Sequence, residues 1–202
     1  MAGHFIGSTL MSFYESLPVG ELIVVGGGQI GTVPALSTLK VVHKKTGPLV
    51  QSVFTLTDLA QTVVNGTEYQ GTKLYDFPQG RIFVLGVTAS IAQKTTSDIA
   101  TTLNSGVTGA LGLGTATASN VSLTSTMVDL LPSTAFTTSA TINVAGTAAT
   151  AALAAAAQFD GTTTAKSMFI NTAYATTTDV DADATQTLTG TVTVTWLNLG
   201  DF

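Results

Sequence analysis

The stretch from Leu188 to Trp196, Leu-Thr-Gly-Thr-Val-Thr-Val-Thr-Trp, constrains this chain more than any other. Leu188, Val192, Val194 and Trp196 are apolar, while Thr189, Thr191, Thr193 and Thr195 between them carry hydroxyls, so the period is two. A pleated strand with one buried face has that period, because successive side chains point to opposite sides. β-Branched residues suit the pleat, and Val192, Val194 and Trp196 supply enough apolar area to seat the strand in a core. The spacing therefore predicts a strand with Trp196 buried. After Trp196 the phase changes: Leu197 and Leu199 are apolar at odd positions, which predicts a bulge or the end of the strand. The partners of this strand must come from earlier in the chain.

Earlier segments supply them. Val53 to Thr57 alternates, and Gln61 to Val64 forms a second short run closed by the turn pair Asn65-Gly66. Lys73 to Phe77 joins Arg81 to Ile91 through Pro78-Gln79-Gly80, which reads as a hairpin. Gly106, Gly109, Gly112 and Gly114 suit loops and an irregular strand. Asn120 to Leu131 reads as extended up to Pro132, and Thr141 to Val144 and Met168 to Tyr174 as further strands. Ala148 to Ala157 has helical composition, since alanine gives up no side-chain entropy in a helix, and Gln158-Phe159-Asp160-Gly161 ends it. Strands and helices do not alternate, so a parallel sheet is not expected. The fold class predicted is all-β: an antiparallel β-sandwich or jelly roll with one short inserted helix.

Residues 1–48 differ from the rest. They hold three of the five prolines (Pro18, Pro34, Pro48) and the aromatics Phe5, Phe13 and Tyr14 without a sustained period. They read as an irregular, extended N-terminal arm with strand-like runs at Glu21 to Val25 and Leu39 to Val42, and residues 49–202 as the sandwich body. Ordering such an arm costs entropy that contact with a partner must offset, which makes Phe5, Phe13 and Tyr14 candidate contact residues. Lys40, His43, Lys44 and Lys45 form a basic cluster that reads either as a docking site for an acidic surface or as a solvated loop before Gly47-Pro48.

Catalytic and binding motifs are scarce. Gly26-Gly27-Gly28-Gln29-Ile30-Gly31 matches G-x-G-x-x-G, but a dinucleotide fingerprint needs a helix directly afterwards and an acid about twenty residues on. Thr32, Val33 and Pro34 follow instead, and Val41 to Thr46 holds no acid, so a glycine-rich turn is the better reading. Asp179, Asp181 and Asp183 resemble the start of a calcium loop, yet Ala184 and Gly190 stand where its glycine and glutamate belong. In a loop the three carboxylates would converge on a cation; on a strand they would share one face. His4 and His43 show no acid or nucleophile beside them of the kind a catalytic histidine needs. The chain has no cysteine, which removes disulfides, thiolate metal sites and cysteine nucleophiles. No cofactor is expected.

Charge narrows the partners. Only 9% of residues are charged, against about 25% in an ordinary soluble chain, and threonine takes over the polar positions of the strands. The net charge of −5 resides in the C-terminal part: residues 1–115 balance six acids with six bases, whereas residues 116–202 set six acids against Lys166 alone. Such a half repels phosphate backbones, so nucleic acid is not an expected partner. Nor is a membrane, because Met1 to Leu10 lacks a basic start and an apolar centre, and the run Ala148 to Ala157 is short and broken by Thr150.

Four stretches carry a family resemblance: Lys73 to Gly86, Ala165 to Asn171, Thr177 to Thr185 and Leu188 to Phe202. They resemble parts of small structural proteins of tailed bacteriophages, over roughly Leu49 to Phe202. The resemblance implies a capsid decoration (cement) protein on the surface of the virion, with a sandwich or jelly-roll body. It also implies a homotrimer that bridges neighbouring major capsid protein subunits, with the arm laid along the shell. No site residue is carried over from it. Taken by themselves, a threonine-coated β-body and an aromatic-bearing arm are the parts of a protein that works by contact rather than by catalysis. The alternative is a tail- or head-fibre-associated protein that binds a host glycan, which would need exposed aromatic stacking platforms.

Overall fold

The computed structural model describes residues 30–95, 107–139, 149–152, 157–175, 180 and 182–200. The strands are β1 (Leu39–Thr46), β2 (Leu49–Val63), β3 (Tyr69–Asp76), β4 (Arg81–Thr95), β5 (Thr108–Gly114), β6 (Leu131–Thr137), β7 (Ala149–Ala152), β8 (Ala157–Asp160), β9 (Ser167–Tyr174) and β10 (Ala184–Asn198). One sheet runs β1-β2-β10-β4, with β7 and β8 both paired along the remaining edge of β4; the other runs β3-β9-β5-β6. Every pairing is antiparallel. The sheets pack face to face around one core that takes Phe54, Val192 and Trp196 from the first and Leu111, Ile170 and Tyr174 from the second. This is an all-β sandwich.

β10 lies at the centre of the larger sheet, paired on both sides along most of its length. Leu188, Val192, Val194 and Trp196 are fully buried, and Thr191, Thr193 and Thr195 face outward, as the alternation requires. The neighbouring strands absorb the irregularities. Opposite Thr189, β2 carries one extra residue at Thr57-Asp58, where Asp58 has φ +52°. Between the partners of Thr195 and Trp196, β4 carries Leu85 as an extra residue. The bulge expected near Trp196 therefore belongs to β4, and β10 continues to Asn198 with Leu197 on its outer side.

Several expectations are corrected. Lys73 to Ile91 is not a hairpin: β3 pairs with β9 and β4 with β10, so residues 77–80 turn a corner between the sheets, with Gly80 at φ +126°. The inserted helix over Ala148 to Ala157 is absent where the chain is described, because residues 149–152 and 157–160 form β7 and β8 against β4. Pairing to an existing strand overrides alanine's helical preference in segments of four residues. The one helical turn among the described residues is the 3-10 turn Ser125–Met127. Leu131, expected to end an extended piece, instead starts β6, whose edge position accommodates Pro132. The strand predicted at Thr141 to Val144 lies outside the described residues.

The boundary at Pro48 also moves. β1 is a full member of the larger sheet, joined to β2 through Gly47, which has φ +59°. Leu39 enters the core, with Val33, Leu36 and Val41 packed against it. Ahead of it, Thr32 bridges Asp76, and the Gly31 N–H donates to the Tyr75 hydroxyl at 2.8 Å. Residues 30–48 thus belong to the sandwich rather than to an arm. No helix follows Gly31, which removes the structural context a dinucleotide fingerprint needs.

The outer faces of the two sheets are treated differently. Residues 115–130 fold back over the outer face of the smaller sheet, where Ala118, Leu123 and Met127 form a second small core with Ala173. Asn171 pins this cover: its Oδ1 accepts the Ala118 N–H at 2.8 Å, and its Nδ2 donates to the carbonyls of Ala116 at 2.9 Å and Met127 at 2.8 Å. Thr115 fastens the start of the segment by donating its N–H and its hydroxyl to the Asp129 carboxylate.

Candidate functional site

The basic cluster sits on the edge strand β1, where the period of two divides it. Lys40, Val42 and Lys44 face outward and are exposed, while Val41, His43 and Lys45 face inward and are half-buried. His43 is therefore not a surface contact residue. Its ring stacks against Tyr75 with centroids 5.5 Å apart, and its Nδ1 lies 2.7 Å from Ser52 Oγ, which also accepts the Trp196 indole N–H at 3.0 Å. Burial holds the His43 pKa down to about 4, so the ring is neutral at pH 7. Tyr75 is in turn surrounded by Phe54, Phe77 and Trp196, and burial pushes its phenol well above the usual range. Phe5, Phe13 and Tyr14 lie outside the described residues.

Among the described residues none forms such a cover over the outer face of the larger sheet across β1, β2, β10 and β4. Its residues line up in rows across the strands: Lys40–Thr55–Thr191–Ser90, then Val42–Val53–Thr193–Thr88, then Lys44–Gln51–Thr195–Gly86, then Thr46–Leu49–Leu197–Phe83. None of these residues is buried. Apart from Thr46 the last row is apolar, and two further leucines extend it. Leu85 is presented by the β4 bulge, and Leu199 follows β10, its N–H bonded to the Arg81 carbonyl at 2.8 Å. Leu49, Leu85 and Leu199 are 36%, 44% and 49% exposed, which is unusual for leucines gathered at one end of a sheet. Beside them Arg81, Phe83, Gln158, Asp160 and Leu199 line a cleft of about 370 Å³. The Thr162 hydroxyl and N–H hold the Asp160 carboxyl below its usual range, helped by Arg81 and Lys166.

Sequence reading missed this apolar end, although one signal pointed to it. Leu197 and Leu199 break the alternation after Trp196. The break marks a strand end apolar on both faces, one turned to the core and one turned outward.

The opposite end of the sandwich interior is polar. Gln61 Nε2 donates to Thr72 Oγ1 at 3.0 Å, and Gln186 Nε2 donates to Thr172 Oγ1 at 2.9 Å. The Thr172 and Tyr174 hydroxyls donate to the carbonyl oxygens of Gln61 and Gln186 at 3.0 and 2.5 Å. These groups satisfy one another, which makes the network a device for fixing register rather than a binding site. Of the three aspartates expected to start a cation loop, Asp179 and Asp181 lie outside the described residues. Asp183 accepts the Asn65 N–H at 2.9 Å and so closes the turn after β2. Among the described residues no three His, Cys, Asp or Glu side chains are grouped to hold a metal ion. Compared with known proteins, the chain matches no family model, no curated protein and no solved structure.

Proposed function

We propose that the protein is a non-enzymatic structural protein of a tailed-bacteriophage virion that decorates and stabilises the capsid by bridging neighbouring major capsid protein subunits. The observation that carries this reading is the contrast between the two outer faces. One is roofed by the chain's own residues 115–130, and the other, among the described residues, is left open, sparsely charged and apolar at one end. An apolar cluster kept in water is costly, and covering it in an assembly removes that cost. Lys40 and Lys44, flanking Val42 on the exposed margin of β1, add cations for an acidic surface of the shell. The phage resemblance of Lys73 to Gly86 and Ala165 to Phe202 supplies the kind of assembly. Against the glycan-binding alternative, Trp196, Tyr75 and Tyr174 are buried, and the aromatics that are not fully buried among the described residues, Tyr69, Phe83, Phe159 and Phe169, are half-buried rather than exposed.

Quantitative mass spectrometry of purified virions tests the proposal. Hundreds of copies per particle are expected for a shell protein. A dozen or fewer would assign the protein to a tail or vertex, and absence from the particle would overturn the reading.

A further inference from the structure

We infer that the outer edge of β1 binds an extended acidic segment of a partner protein, which adds to the larger sheet as a further strand. Among the described residues β1 pairs on one side only, with β2. The Thr38 carbonyl accepts the Thr57 N–H at 2.9 Å, and in an antiparallel ladder the bonded residues alternate. Lys40, Val42 and Lys44 therefore turn their backbone groups toward β2, and Leu39, Val41 and His43 turn theirs to the open edge. The Leu39 N–H is taken by the Leu36 carbonyl at 3.1 Å. The N–H and carbonyl of Val41 and of His43, whose side chains face inward, have no backbone partner among the described residues. Two donors and two acceptors thus stand at strand spacing, in the arrangement that strand addition uses.

The side chains choose the kind of strand. Lys40 and Lys44 are exposed on the outer side, with Val42, 47% exposed, between them. A strand laid along this edge sets one residue opposite each of the three. Acids opposite the two lysines and an apolar residue opposite Val42 complement the row. At the Leu39 end, Val33, Pro34, Leu36, Leu39, Lys40 and Val41 line a cleft of about 440 Å³, which takes an apolar side chain of the same segment. Strand addition draws affinity from the backbone bonds and specificity from such side-chain sites.

A second copy of β1 is the wrong partner. A two-fold axis at Val42 would join Val41 to His43 but set Lys40 against Lys44 twice, and like charges directly opposite are destabilising. Lysines on an edge strand guard it against pairing with itself, and here the same charges select an acidic strand. The inference rests on reading the protein as one that works by contact, and it gives the acidic surface proposed for Lys40 and Lys44 the form of an extended segment. No phage component enters its test. Absence of the protein from virions would overturn the proposed function and leave the edge-binding result standing, and a failed peptide would leave the copy number per virion standing.

The test is amide hydrogen exchange of the full chain, read residue by residue by NMR, alone and with the synthetic peptide Thr-Glu-Val-Val-Thr-Glu-Val. That peptide presents its two acids on one side of a strand with a valine between them, at the spacing of Lys40 and Lys44. In the chain alone, the Lys40, Val42 and Lys44 amides should exchange slowly and those of Val41 and His43 fast. The peptide should slow Val41 and His43 about tenfold at a concentration about ten times its Kd. The counterpart Thr-Lys-Val-Val-Thr-Lys-Val should leave them fast. In a chain carrying both Lys40→Glu and Lys44→Glu, at exposed positions, the two peptides should exchange roles. Slow exchange of Val41 and His43 in the chain alone would overturn the inference, since the chain's own residues or a second copy would then fill the edge. So would an acidic peptide that fails to protect them at millimolar concentration, or equal protection by both peptides. An unaltered preference in the doubly substituted chain would overturn it as well.

Discussion

Ser52 joins the largest fully buried side chain among the described residues to the edge strand β1, since its hydroxyl meets both the Trp196 indole and the His43 ring. Trp196 was legible: its phase in the alternation placed it inward, and it is fully buried against Tyr75 and Phe77. Trp196→Ala should destabilise by about 3 to 5 kcal/mol, measured by denaturant melts, and an unchanged Tm would contradict its place in the core. His43 was not legible, because in a run of basic residues nothing separates it from its lysine neighbours until β1 is known to pair with β2. Its folded pKa of about 4 lies below the ordinary 6.5. Between those values the unfolded chain binds the proton and the folded chain does not, so stability falls as pH drops from about 6.5 to about 4. The full shift corresponds to about 3 kcal/mol, and solvent screening of the partly open ring reduces it to roughly 1 kcal/mol. His43→Gln should therefore flatten the dependence of Tm on pH across that window. The depressed carboxyls of Asp58 and Asp160 act at lower pH. A slope that survives the substitution would show that another group titrates there.

At the scale of elements, long strands with strong alternation or apolar content could be read, and short or bulged ones could not. β10 and β9 follow from alternation and apolar content. β2 reads as two short runs because the bulge at Thr57-Asp58 shifts its phase, and only its pairing with β10 shows one strand of 15 residues. β7 and β8 take their conformation from β4 and not from alanine, which no local rule reveals. Gly190 marks a position that glycine alone fits: φ is +149°, and a Cβ there would run into the Ser90 carbonyl of β4. Gly190→Ala should cost about 2 kcal/mol or more, checked by the midpoint of urea unfolding. The demotion of the arm boundary carries its own prediction. A chain beginning at Leu49 loses β1, Leu39 and the strap from Gly31 to Tyr75, and so uncovers an edge of β2 and the Phe54 side of the core. It should aggregate or melt well below the full chain. A soluble, β-rich chain of unaltered Tm would restore the boundary at Pro48.

For the molecule as a whole, the sandwich class was legible, and the choice of working face was not. Composition says that few charges are available, but it cannot say which face the chain covers for itself. That depends on residues 115–130, which read as an irregular extended stretch. They can settle on the smaller sheet because Gly114 leaves room for the backbone of Thr126 and Met127. The apolar end of the other face was legible in part, through the phase change at Leu197 and Leu199. The central claim is that the protein acts by burying this open face in an assembly. Carbene footprinting read by mass spectrometry, on protein dilute and then assembled, tests it most directly. The account predicts protection on assembly at Leu49, Leu85, Leu197 and Leu199, with Val64 labelled equally in both states. Protection at Val64 with undiminished labelling of the four leucines would contradict it.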